Sequence, residues 1–196
     1  MFGIDDAIGA TIQCIRDGNW GQFGEKIKSN FANSWAFFGL KMTSPGSWLE
    51  LGVSALAGFG LSAFMGPIGW AVGLFTPAFN FLIGYSAIEG FGGEIIPSSG
   101  LSGHLTINIQ IPGMGSENAA TFGNLVIGGS GLNNVIAHER GHFLQSLLLG
   151  PLYWMVIAIP SITRAGIWNY RLMNGKSVKS YGSFYTEKWA DKWSIP

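Results

Sequence analysis

The chain has 196 residues, which is enough for one compact domain with a substantial core and too few for two ordinary domains. Its formal net charge is zero, and only 11% of the residues are charged while 47% are hydrophobic. This composition excludes a basic nucleic-acid-binding surface, so no nucleic-acid partner is expected. The single cysteine, Cys14, excludes an internal disulfide.

The first region, residues 1–50, has the hydrophobic spacing of two amphipathic helices. Isoleucines recur at helical intervals from Ile4 to Ile15, and aromatic residues do so from Trp20 to Phe38. A short polar run with one glycine separates the two patterns. The region is therefore predicted to be helical throughout.

The second region, residues 51–99, is apolar and rich in glycine. No residue from Leu51 to Ile88 is charged, and two prolines interrupt the stretch. Ser47 and Glu50 have the spacing of a capping box, which predicts that a helix starts at Ser47. We predict an apolar helical hairpin, and its sequence leaves open whether the hairpin is buried in protein or lies in lipid.

The third region, residues 100–196, begins with strand patterns. Strict alternation from His104 to Ile111 predicts a half-buried strand, and a second short strand is predicted from Phe122 to Ile127. A helix capped by an asparagine at position 133 or 134 follows, and a last helix lies around Phe184 to Trp193.

Together these patterns predict an α+β fold. It is mainly helical, with a small sheet packed near one helix of the third region and with the apolar hairpin before it. The three regions are expected to form one compact unit, because none is large enough for a second ordinary domain.

The helix after the second strand contains His138-Glu139-Arg140-Gly141-His142. Residues four apart lie on one helix face, so both imidazoles can bind one cation while Glu139 accepts a proton from a water on it. The alternative is that the histidines are ordinary surface neighbours. Gly141 argues against it, because glycine inside a helix costs about 1 kcal/mol relative to alanine and indicates close approach of another element.

A catalytic zinc site needs a third protein ligand. The only other histidine, His104, lies upstream, which favours a carboxylate. Glu187 and Asp191 are four apart in the last predicted helix, so Glu187 can bind the metal while Asp191 accepts a hydrogen bond from a ligand histidine. The alternative is that both carboxylates face solvent.

The HExxH motif, followed by ExxxD on a later helix, resembles the gluzincin metallopeptidases. The resemblance covers Leu105 to Trp193. It implies that Zn²⁺ is the cofactor, with His138, His142 and Glu187 as its ligands. It further implies that Glu139 is the general base, that Asp191 supports a ligand histidine, and that the strand Phe122 to Ile127 is the edge along which a peptide substrate lies.

The residues from His138 to Tyr153, with Phe184 to Ala190, also resemble small peptidase domains at the C-termini of Rhs-type polymorphic toxins. In those proteins a glycine-rich apolar segment precedes the toxin domain, as Leu51 to Ile88 does here. This resemblance implies a secreted or delivered effector with an immunity protein as partner.

Stabilisation of a tetrahedral intermediate requires a further donor. Tyr185 is the first candidate because it is nearest to Glu187 in sequence, and the others are Tyr153, Tyr181, Arg164 and His104.

The leading prediction is a zinc metallopeptidase that acts on a peptide or protein substrate, as a delivered effector or in association with a membrane. Three alternatives remain. One is a membrane-inserting toxin with a structural metal. Another is an intramembrane zinc peptidase, since Phe143 to Thr163 contains no charge. The third is a degenerate peptidase that only binds a partner.

Overall fold

A computed structural model describes residues 3–97 and 100–195 of the chain. Within these residues, eight α-helices accompany a four-stranded mixed sheet, which confirms the predicted α+β class. Helix α1 (Ile4–Asp17) and helix α2 (Phe23–Thr43) are the two helices predicted in the first region. Gly18 ends α1 in the left-handed conformation, with φ of 67°.

Helices α3 (Pro45–Met65) and α4 (Pro67–Phe91) form the predicted apolar hairpin. They cross at glycines, and a Cβ atom on Gly58 would lie only 2.8 Å from the Cα atom of Gly73. The two backbones therefore touch without intervening side chains. Among the described residues, α3 and α4 are the two unbroken helices that are long and apolar enough to cross a membrane.

The sheet contains β1 (Glu94–Ile96), β2 (Ile107–Gln110), β3 (Ala119–Phe122) and β4 (Leu125–Gly128), in the order β1-β2-β4-β3. Strands β2 and β4 run parallel, and each outer strand is antiparallel to its neighbour. Strand β3 is therefore at one edge of the sheet.

The strand predicted from Phe122 to Ile127 is wrong in part, because these residues span a β-hairpin. The chain turns at Gly123, whose φ of 60° suits glycine, and Leu125 to Ile127 belong to the inner strand β4. The strand predicted from His104 is also wrong in part. A short helix, α5 (Gly100–Leu105), comes first, and β2 is buried on both faces because helices pack on either side of the sheet.

Two predicted helix starts also differ from the structure. Helix α3 begins at Pro45, and Ser47 and Glu50 are buried where they bond Asn124 instead of capping the helix. The next long helix, α6 (Leu132–Leu149), follows Gly131, and neither predicted asparagine caps it. In both places tertiary contacts determine what these polar side chains bond.

The rest of the chain is mainly helical, and α6 packs against the edge strand β3. Helix α6 ends before a turn at Gly150, a π-helical turn (Trp154–Ala158) follows, and α7 (Ile159–Met173) and α8 (Tyr185–Lys192) complete the structure. The segments Leu132–Leu152 and Trp154–Met173 are bent by 117° relative to each other. Counted together as one broken span, they would be a third element that is long and apolar enough to cross a membrane. The bend brings α7 back towards α8, which packs against α6.

An apolar core fills the space between α2, α4 and the sheet. Its buried members include Phe37, Tyr85, Ile107, Ile109, Leu125 and Ile127.

A polar network lies beside this core. The Lys41 ammonium donates to Glu50 Oε2 at 3.0 Å and to the side-chain oxygen of Asn124. Asn80 Nδ2 donates to the other Glu50 oxygen, so the network joins α2, α3, α4 and the turn before β4.

Candidate metal centre

Two histidines of α6 and one glutamate of α8 converge at one point. The Nε2 atoms of His138 and His142 lie 3.2 and 3.4 Å from the same Glu187 oxygen, Oε2. One ligand atom from each of the three residues lies within 4.8 Å of the others. Among the described residues, this is the group of histidine, cysteine or acidic side chains arranged to hold a metal ion.

Both imidazoles are oriented through their other ring nitrogen. His138 Nδ1 lies 2.7 Å from Asp191 Oδ1, and His142 Nδ1 lies 2.7 Å from Gln145 Oε1. The partner oxygens are acceptors, so each Nδ1 carries a proton and donates it to its partner, and each Nε2 faces Glu187 Oε2. The contact predicted between Asp191 and a ligand histidine is thus present in the structure.

Glu187 is held on its far side by hydroxyl groups. Its Oε1 atom accepts hydrogen bonds from Ser161 at 2.6 Å, Thr186 at 2.8 Å and Tyr181 at 3.1 Å. Burial works to raise the pKa of Glu187, but hydrogen bonds with His138 and other partners outweigh it and hold that pKa below the usual range. The carboxylate therefore stays charged, with Oε2 directed at the imidazoles.

Gly141 explains how α8 comes close enough to supply this carboxylate. A Cβ atom at Gly141 would lie 2.2 Å from the backbone oxygen of Ala190. The two helices therefore cross in backbone contact, as the glycine inside the motif predicts. The crossing is less than one helical turn from Glu187.

Glu139 lies on the β3 side of the motif and is buried. The hydroxyl of Thr121, in the edge strand, donates to Glu139 Oε2 at 2.6 Å. Burial raises the pKa of Glu139 above its usual value, and the charges of the two histidines oppose that shift. A raised pKa suits a carboxylate that accepts a proton during a reaction.

The three converging residues open onto a cleft of about 800 Å³. Strand β3, helix α6, helix α7 and Tyr181 line it. A metal ion at Glu187 would therefore be accessible from the cleft.

The five predicted donors for a tetrahedral intermediate are dispersed. Tyr185 donates to the backbone oxygen of Val156 and does not line the cleft. His104 belongs to α5, and Arg164 lies beside the Phe184 ring. Of the five, Tyr153 and Tyr181 line the cleft.

These two tyrosines differ in what their hydroxyl groups bond. Tyr153 donates to the backbone oxygen of Thr121. Tyr181 bonds Ser161 and Glu187, and burial together with the Glu187 charge raises its pKa to about 12. Tyr181 therefore keeps its proton and can donate.

Sequence reasoning missed Gln145, Thr121 and Ser161 at this site. Gln145 follows His142 by three residues on the same helix, so helical spacing could have identified it. Thr121 and Ser161 come from distant segments, and no local pattern marks them.

No protein-family model matches the chain, and comparison with curated proteins and with solved structures finds no significant similarity. The assignment of this site therefore depends on its geometry.

Proposed function

We propose that the protein is a zinc-dependent peptidase. The observation that supports this is the convergence of two imidazole Nε2 atoms and one carboxylate oxygen beside Glu139 in an open cleft. Three protein ligands with an accessible further position are typical of catalytic rather than structural zinc sites, which generally have four protein ligands.

The donor set fits zinc. Two imidazoles and one carboxylate form a common catalytic zinc ligand set, and both imidazoles here are oriented by acceptors on Nδ1. When bound, such an ion supplies a Lewis acid, which polarises the peptide carbonyl and lowers the pKa of water. His138, His142 and Glu187 would hold it, and Asp191 and Gln145 would keep the rings in place.

Glu139 would act as the general base. Its buried carboxylate accepts a proton from the attacking water and then returns that proton to the amine of the cleaved bond. Thr121 fixes one Glu139 oxygen and so orients the carboxylate. Tyr181, which lines the cleft and keeps its proton, is better placed than Tyr185 to donate to the developing oxyanion, for which its hydroxyl would turn away from Glu187 Oε1.

The edge strand β3 would position the substrate. It lines the cleft beside Glu139, and an extended peptide can add to a sheet edge through the backbone groups that Tyr153 does not already bond. The sequence predicts Phe122 to Ile127 as the substrate-binding edge, but most of the strand residues in that segment belong to β4, which is paired on both sides. We therefore assign substrate binding to β3 (Ala119–Phe122). Peptides or proteins with an extended segment are therefore the proposed substrates.

Zinc content and peptide hydrolysis test this proposal on purified wild type and four variants. His142→Ala and Glu187→Ala should lose zinc, while Glu139→Gln should retain about one ion per chain and lose hydrolysis by at least a hundredfold. His104→Ala is the matched control, since His104 lies in α5 away from the cleft, and it should keep both properties. Folded wild type that takes up no zinc would refute the proposal.

The second candidate is a membrane-inserting protein with a structural metal, which the length and composition of α3 and α4 favour. It predicts that Glu139→Gln keeps full biological activity, whereas a peptidase predicts loss.

An effector role would be tested by expression in a bacterial host. Toxicity that Glu139→Gln abolishes would support a peptidase effector and justify a search for an immunity protein.

A further inference from the structure

Helices α1 and α2 are oriented with their polar sides inwards. In α1, Ile4, Ile8 and Ile15 are more than half exposed, while Asp6 and Cys14 are fully buried. The stripe that sequence analysis identified as apolar therefore faces outwards. In a water-soluble fold an amphipathic helix turns this stripe towards the core.

The same inversion holds in α2. Trp20, in the turn before α2, and Trp35 within the helix are more than half exposed, whereas Asn30, Ser34 and Lys41 are buried. Ser34 donates to Asp6, and Asn30 Nδ2 donates to the Asp6 backbone oxygen. Polar side chains thus bond each other inside the protein, where Phe37 also packs, while both tryptophans face outwards.

The α3–α4 hairpin extends this surface. From position 55 to position 79 the buried residues are Gly58, Gly69 and Gly73, which lie at the helix crossing, and Pro77. Large apolar side chains project from both helices, with Leu56 73%, Phe75 71% and Phe64 90% exposed. This half of the hairpin therefore packs mainly against itself.

The projecting part of the hairpin can reach well into a bilayer. At 1.5 Å per residue, residues 55–65 of α3 and 67–79 of α4 extend roughly 16 and 19 Å. The hydrocarbon layer is about 30 Å thick, so this part would reach just past its middle. No charged residue lies between Glu50 and Glu89, and close helix crossings at small residues are typical of membrane interfaces.

We propose that the exposed apolar residues of α1 and α2 and the outer surface of α3 and α4 face a lipid bilayer, into which the α3–α4 hairpin inserts by its turn at Gly66. The exposed ion pairs Arg16–Asp17 and Glu25–Lys28 would stay in water. Lipid fits better than a second protein because apolar side chains project from both helices around the turn, whereas a protein partner generally covers one face.

Insertion by the turn would leave the metal centre on the sheet side. The opposite end of the hairpin packs on the rest of the chain, where Gly46 meets the Leu105 backbone and Gly84 meets Leu125. The sheet and α6 therefore remain at the membrane surface. This inference is independent of the proposed function, because it requires neither zinc nor hydrolysis.

Vesicle flotation tests the insertion. The full chain is synthesised with phosphatidylcholine–phosphatidylglycerol vesicles and washed with alkaline carbonate before flotation. Wild type should float. Leu56→Lys/Phe75→Lys should partition at least about tenfold less, because lysine is costly inside the hydrocarbon layer. Met173→Lys is the matched control, because Met173 is 87% exposed but lies in α7, and it should float like wild type.

Site-directed spin labelling provides a readout that does not depend on lysine variants. Cys14 is fully buried, so a single added cysteine can be labelled selectively. A label at Phe64→Cys should be accessible to oxygen and protected from a water-soluble relaxation reagent, and a label at Met173→Cys should show the reverse. Two results would overturn the proposal. One is a label at Phe64→Cys that the water-soluble reagent reaches. The other is wild type that does not float and forms a stable oligomer without detergent.

Discussion

Replacing Gly141 by alanine tests how the metal centre is assembled. The added Cβ would lie 2.2 Å from the Ala190 backbone oxygen, whereas ordinary contact begins at 3.4 Å. Both atoms belong to helical backbone, so α6 and α8 must separate by about 1.2 Å, the difference between these distances. Overpacking of this kind costs about 1–3 kcal/mol, and alanine recovers about 1 kcal/mol through its helix propensity.

The separation would act directly on the ligand geometry. Glu187 is on α8 and both histidines are on α6, so Oε2 would move away from the two Nε2 atoms that it now meets at 3.2 and 3.4 Å. Metal–ligand distances tolerate only about 0.2 Å. We expect Gly141→Ala to weaken zinc binding at least tenfold, with an unfolding free energy lower by up to about 2 kcal/mol.

Zinc affinity would be measured by competition with a chromophoric chelator, and stability by thermal unfolding. Gly166→Ala is the matched control, because Gly166 is also helical and a Cβ there meets nothing within 4 Å. It should keep zinc affinity and gain up to about 1 kcal/mol. Wild-type zinc affinity in Gly141→Ala would refute the argument from helix approach.

Three further outcomes are expected. Gln145→Leu should weaken zinc binding roughly tenfold to a hundredfold, measured by the same competition, because the His142 ring loses its acceptor; unchanged affinity would contradict this. Lys41→Met should lower the unfolding free energy by about 3–5 kcal/mol, because Glu50 keeps a buried charge without its cation; Lys28→Met, at an exposed ion pair, should change it by less than about 1 kcal/mol. Removing zinc with a chelator should lower the melting temperature, and zinc should restore it in wild type but not in Glu187→Ala.

Much of the candidate metal centre could be predicted from local spacing. His138 and His142 share a helix face because they are four residues apart, and the same spacing places Glu187 and Asp191 together. Gly141 indicated a close helix approach before its partner, Ala190, was known. These inferences depend on helix geometry, which is set within a few residues.

The residues that hold Glu187 and orient Glu139 could not be predicted in this way. Ser161 and Tyr181 reach the Glu187 carboxylate from other segments, and Thr121 reaches Glu139 from the edge strand. Their contacts depend on how α7 and β3 pack against α6 and α8, which no local pattern encodes.

By itself, the sequence determined that helices form in the first 91 residues and that α3 and α4 are apolar, because periodicity and composition act locally. Only the tertiary structure decided which side of each helix faces inwards. The spacing of Ile4, Ile8 and Ile15 predicts a helix with an apolar face, but periodicity is the same whether that face meets a core or a bilayer. The burial of Asp6 and Lys41 against polar partners on other helices determines that this face is turned outwards.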